Sequence, residues 1–177
     1  MKILSEKEII GFIQDGRKLS EEAGTAILDQ FEKDQPEMYQ AIFGELSDGI
    51  ASDSEDMSNL FLDLCFDIIL VYKMAFGDPP IKIRNKDWFN NKVALLDAEL
   101  KSLDSESSMS NKLKQQLSNR FIKRSAEAGI QLALLEHFDQ EVRKYASFDV
   151  SRMTAIHVTN NLIFVVVRLM DDIYSTA

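Results

Sequence analysis

Apolar residues recur at intervals of three and four along most of the chain, the spacing of a helix that buries one side. Ser5 and Glu8 form a capping-box pair, and Ile9, Ile10, Phe12 and Ile13 follow, which predicts a helix over 5–15 ending near Gly16. Leu19, Ala23, Ile27 and Phe31 step by four and predict a second helix over 20–33. Pro36 suits a first-turn position, and Tyr39, Ile42, Phe43 and Leu46 mark a third helix that fades at Ser47-Asp48-Gly49. The polar, acidic run 47–56 predicts a loop, with Ser52 and Glu55 as a second capping box.

A fourth helix is expected over 53–76. It is apolar almost all round from Leu60 to Val71, the pattern of a helix surrounded by others, and Gly77-Asp78-Pro79-Pro80 ends it. Ile81–Arg84 alternates like a strand but is too short to found a sheet. Asn85 caps a fifth helix reaching about Leu103, with Trp88, Leu95 and Leu96 on its apolar side. The serine-rich run 104–110 is a linker that could subdivide the chain. A long sixth helix follows over 111–146, with Gly129 as a point of bending or breaking. The seventh covers 149–174 and turns Ile156, Ile163, Val167 and Met170 inward.

The expected fold is therefore all-α: one domain over 1–177, a bundle of six or seven helices with two strongly apolar central ones. Composition agrees. Seven Gly and three Pro are too few to punctuate a β fold, and 45% apolar residues suffice for a core. The net charge of −9 repels nucleic acid and anionic membranes on average, so a basic protein is the more compatible partner. Acidic residues interrupt the N-terminus before an apolar run can build, and the longest charge-free apolar run, Leu162–Val167, falls far short of a membrane span of ~20 residues. The cytoplasm is the expected compartment. A single cysteine, Cys65, stands among apolar neighbours and reads as a buried, inert thiol.

The first candidate for chemistry is Asp63 with Asp67, one helical turn apart among apolar residues. They fit a narrow solvent stripe, an ion pair with Arg168, or a metal or acid–base site. The adjacent Asp171 and Asp172 could add to them if their helices packed side by side, although neighbouring residues point about 100° apart. The second candidate is a polar line of Thr154, His157, Asn161, Arg168 and Asp172 on the last helix, either the wet half of an amphipathic helix or a buried network. His137, beside Glu136 on a charged helix, reads as a surface residue. Phosphate loops, nucleophile elbows, calcium loops and di-iron motifs have no match in the chain.

With no catalytic fingerprint and no cofactor motif, the expected function is that of a non-enzymatic acidic interaction protein. It would act as an adaptor or neutralising protein for a basic partner, with self-association as a further expectation. The alternatives are a small metal-dependent hydrolase on Asp63, Asp67, Asp171 and Asp172, and a small-molecule binder between the two apolar helices.

Overall fold

A computed structural model of the chain describes residues 1–79, 85–104, 131–146 and 153–175. Its elements are α1 (Glu6–Gly16), α2 (Glu21–Asp34), α3 (Pro36–Gln40), a π-helical stretch (Ala41–Leu46), α4 (Ser47–Ala51), α5 (Glu55–Phe76), α6 (Lys86–Asp104), α7 (Leu132–Ala146) and α8 (Met153–Tyr174). Among the described residues the fold is all-α, with no strand. The expected strand-like Ile81–Arg84, the linker after Asp104 and the part of the sixth helix before Gln131 lie outside the described residues.

The helix starts follow from their caps. Ser5 closes both halves of its box: its hydroxyl accepts from the Glu8 N–H, and the Glu8 carboxylate accepts from the Ser5 N–H at 2.9 Å. Lys2 and the Ser5 groups beside Glu8 hold its carboxyl down to about 2. Ser20 accepts from Ala23 at the head of α2, and Asn85 from Trp88 at the head of α6. Gly77 ends α5 at φ 76°, ψ −148°, a conformation that a Cβ makes costly.

Two expectations fail at the boundaries. The run 47–56 is a loop only at 52–54: the helix begun at Pro36 passes through its π-helical stretch and continues as α4 to Ala51. Ser47, although polar, is buried there, and its carbonyl accepts from the Ser58 hydroxyl at 2.8 Å, tying α4 to α5. The Ser52–Glu55 box also does not form. Ser52 turns back to the Gly49 carbonyl at 2.8 Å, and Ser54 occupies the cap position of α5 with its hydroxyl on Asp56. Gln131 is not helical and α7 starts at Leu132; the expected bend at Gly129 lies outside the described residues.

α5 and α8 lie along one another at the centre. Phe61, Cys65, Ile68, Val71 and Tyr72 on α5 are fully buried, as are Val166, Val167, Met170 and Ile173 on α8. Each large side chain so buried contributes roughly 1.5–3 kcal/mol relative to exposure. α1 and α4 pack on α5, α6 and α7 pack on α8, and α2 rests on α3 and α5. Gly16, the last residue of α1, makes the closest approach: a Cβ there would stand 1.9 Å from Leu70 Cδ2 on α5. By length and hydropathy α8 could also cross a membrane, yet half of that window is buried inside this bundle.

Candidate functional site

The most developed polar cluster lies inside the core, where α5, α8, the start of α7 and the N-terminal segment meet. Asp171 is only 6% exposed. The Tyr72 hydroxyl donates to its Oδ1 at 2.6 Å, and the Gln131 backbone N–H donates to its Oδ2 at 3.3 Å. Gln131 is itself fully buried; its Oε1 accepts from the Leu4 N–H and its Nε2 donates to the Lys2 carbonyl, both at 2.8 Å. One side chain thus fastens the N-terminal segment to the head of α7, and one carboxyl fastens that head to the central helix pair.

Burial dominates the electrostatics of this cluster. It pushes the Asp171 carboxyl up to about 7, against the hydrogen bonds from Tyr72 and Gln131 and the positive charge of Arg168. The Tyr72 hydroxyl rises for the same reason and because Asp171 faces it. Tyr174 stacks against Tyr72 with ring centroids 5.3 Å apart and donates to the Gly77 carbonyl at 3.0 Å, closing the far end of the pair.

Asp63 and Asp67 sit elsewhere, on the side of α5 toward α1 and α7. Asp63 is exposed and Asp67 half-buried. Burial raises Asp67 to about 6; Arg17 opposes that rise, while Asp63 and Glu141 reinforce it. Arg168 acts on Asp171, and its guanidinium lies 5.7 Å over the Phe164 ring. Asp172 pairs with Lys92 of α6 at 2.7 Å. The four aspartates do not converge, and no group of three or more His, Cys, Asp or Glu side chains among the described residues is placed to hold a metal ion.

The polar line on α8 divides. Thr154 and His157 are exposed, whereas Asn161, Arg168 and Asp172 are half-buried. Asn161 Nδ2 lies 3.2 Å from His157 Nε2. The line faces outward, and the buried polar positions of α8 are Thr159 and Asp171 instead. His137 is half-buried rather than on the open surface, which holds its imidazole below the ordinary value. Cys65 is completely buried and its thiol pushed up, so it is a poor nucleophile.

A pocket at one end of the central pair is lined by Ile69 and Lys73 of α5, Tyr174 of α8 and Ile27, Phe31 and Asp34 of α2. A groove of about 290 Å³ lies between α7 and α8, lined by Leu132, Leu135, Glu136, Asp139, Asn160, Ile163 and Phe164. Asn160 Nδ2 donates to Asp139 Oδ1 at 3.0 Å along it.

Sequence inspection passed over Tyr72 and Gln131. A signal for Asp171 was present: Ile163, Val167 and Asp171 step by four, which puts the carboxyl on the apolar stripe. Compared with family models, with curated proteins and with solved structures, the chain matches none.

Proposed function

We propose that this chain is a helical protein-interaction module that docks a basic protein segment on the layer formed by α2, α3, the π-helical stretch and α4. One observation carries this reading. Residues 20–56 hold eleven Asp and Glu against a single lysine, Lys33, and eight of the eleven are exposed. The negative charge of the chain is thus concentrated on its first third. Such a surface accelerates the approach of a cationic partner and repels nucleic acid.

Packing supports the layer as a docking surface. It is braced from beneath by α5, through Ile50, Met57 and the Ser58–Ser47 hydrogen bond, so the carboxylates stand on a fixed support. The apolar sides of α5 and α8 are covered within one chain, so self-association no longer follows from their hydrophobicity.

The experiment is binding of a short Lys/Arg-rich peptide, followed by calorimetry at low and at physiological salt. Binding is expected to weaken steeply with salt, since the Debye length falls to about 8 Å at physiological ionic strength. Neutralising Glu45, Asp48 and Asp53 together (E45Q, D48N, D53N) should abolish it. Neutralising the exposed Glu6, Asp87 and Glu136 (E6Q, D87N, E136Q) should leave it nearly intact. Equal losses in both triple variants would mean diffuse charge attraction and would overturn the proposed surface.

A further inference from the structure

The buried cluster around Asp171 has two proton arrangements available without moving a heavy atom. With the carboxyl ionised, the Tyr72 hydroxyl donates to Asp171 Oδ1 at 2.6 Å. With Oδ1 protonated, Asp171 donates to the tyrosine oxygen, and Tyr72 turns its own hydrogen to the Val167 carbonyl, 3.3 Å away. The proton is gained or lost inside the core, where a carboxylate is costly and a neutral acid is not.

Among the described residues, the groups that face Asp171 are few. From α5 comes Tyr72, from its own helix Arg168 and Asp172, and from the head of α7 the Gln131 N–H. Lys92 of α6 is turned to Asp172, and Lys2 of the N-terminal segment to Glu8. Arg168 is half-buried and shares its face with the Phe164 ring, so its charge offsets burial only in part.

We propose that the Tyr72–Asp171–Gln131 cluster is a proton-operated latch, which holds Lys2–Leu4 and the first turn of α7 against the core while Asp171 carries a proton and frees them as that proton leaves. An ionised Asp171 needs water, and the cover over it is unequal. On one side stand α5 and α8, the most deeply buried helices of the fold. On the other, among the described residues, are Gln131 and a short segment in which Met1, Lys2 and Ile3 are exposed and only Leu4 is buried. That segment is held to Gln131 by only two hydrogen bonds. Water enters where least must be undone, so the N-terminal segment lifts with the head of α7 and the central pair stays closed.

The direction in pH follows. The carboxyl is raised in the closed state to about 7 and returns to about 4 once hydrated, so closure is strongest in acid. Protection of the amides at 4 and 131–135 against hydrogen exchange, corrected for the intrinsic rate, should fall about tenfold per pH unit between pH 5 and 7 and level off above. Amides of Ile68–Tyr72 should keep theirs. Asp171→Asn, which mimics the protonated acid, should flatten the dependence, while Asp67→Asn should leave it in place. If Asp171→Asn does not fold, two measurements still decide. The Asp171 carboxyl carbon of the unsubstituted protein should titrate near pH 7 by NMR, and Tyr72→Phe, lacking the donor to the carboxylate, should move that midpoint upward. A carboxyl titrating near pH 4, or protection at 131–135 that is constant across this range, would overturn the latch.

Discussion

Gly16 and Gly11 stand five residues apart on α1, yet substitution should act in opposite directions. A methyl at Gly16 would meet Leu70, which is 1% exposed and has little room to turn, whereas at Gly11 no atom lies within 4 Å of the added carbon. Gly16→Ala is expected to cost about 1–3 kcal/mol by overpacking. Gly11→Ala should gain about 0.5–1 kcal/mol from helix propensity, both measured by urea unfolding. Tyr72→Phe should cost about 1–3 kcal/mol, because a buried carboxyl loses its shortest hydrogen bond. At this scale the sequence revealed only part of the site. The burial of Cys65 was readable from its apolar neighbours. The role of Gln131 was not, because its partners Leu4 and Lys2 lie 127 and 129 residues away and no local pattern joins them.

Helix starts and stops obeyed the local chemistry of a side chain on its own backbone, the Ser52–Glu55 pair excepted. Ser5, Ser20, Asn85 and Gly77 all act where the pattern placed them. Ser5→Ala should therefore lower stability by about 1 kcal/mol. Gly77→Ala should cost about 1–2 kcal/mol, since only glycine takes that backbone geometry without strain. Scanning calorimetry of the two variants checks both. The acidic run 47–56 misled because composition was weighed against tertiary support. Ile50 is 1% exposed, and the Ser58 hydroxyl holds the Ser47 carbonyl, so packing on α5 keeps a helix that its glycine and aspartates disfavour. Ser52 and Glu55 have the right spacing for a box, but the helix starts at Glu55 itself, which puts Ser54 in the cap position.

Two aspartates raised by burial, Asp171 and Asp67, shape the pH profile of the molecule. Asp171 is raised to about 7 and Asp67 to about 6, so each adds stability fully present below about pH 4 and lost as the pH climbs through its raised value. Glu8, held down to about 2, works the other way, and its contribution fades as the pH falls from about 4 toward 2. His137, held low by burial, likewise favours the less acid side. The melting temperature should therefore peak near pH 4, decline to about pH 7 and level off above. Asp67→Asn should remove the part of that decline between about pH 4 and 6. The all-α architecture and the centrality of the two apolar helices were legible from periodicity. The separation of Asp63 and Asp67 from Asp171 and Asp172 was not, since it depends on which sides of α5 and α8 meet. That meeting is the centre of the fold and can be measured by native-state hydrogen exchange across a denaturant series. Amides of Phe61–Tyr72 and Ile163–Ile173 should exchange only through global unfolding, with one common free energy and denaturant slope. Amides of Ile163–Ile173 exchanging through small openings, with slopes well below those of Phe61–Tyr72, would contradict it.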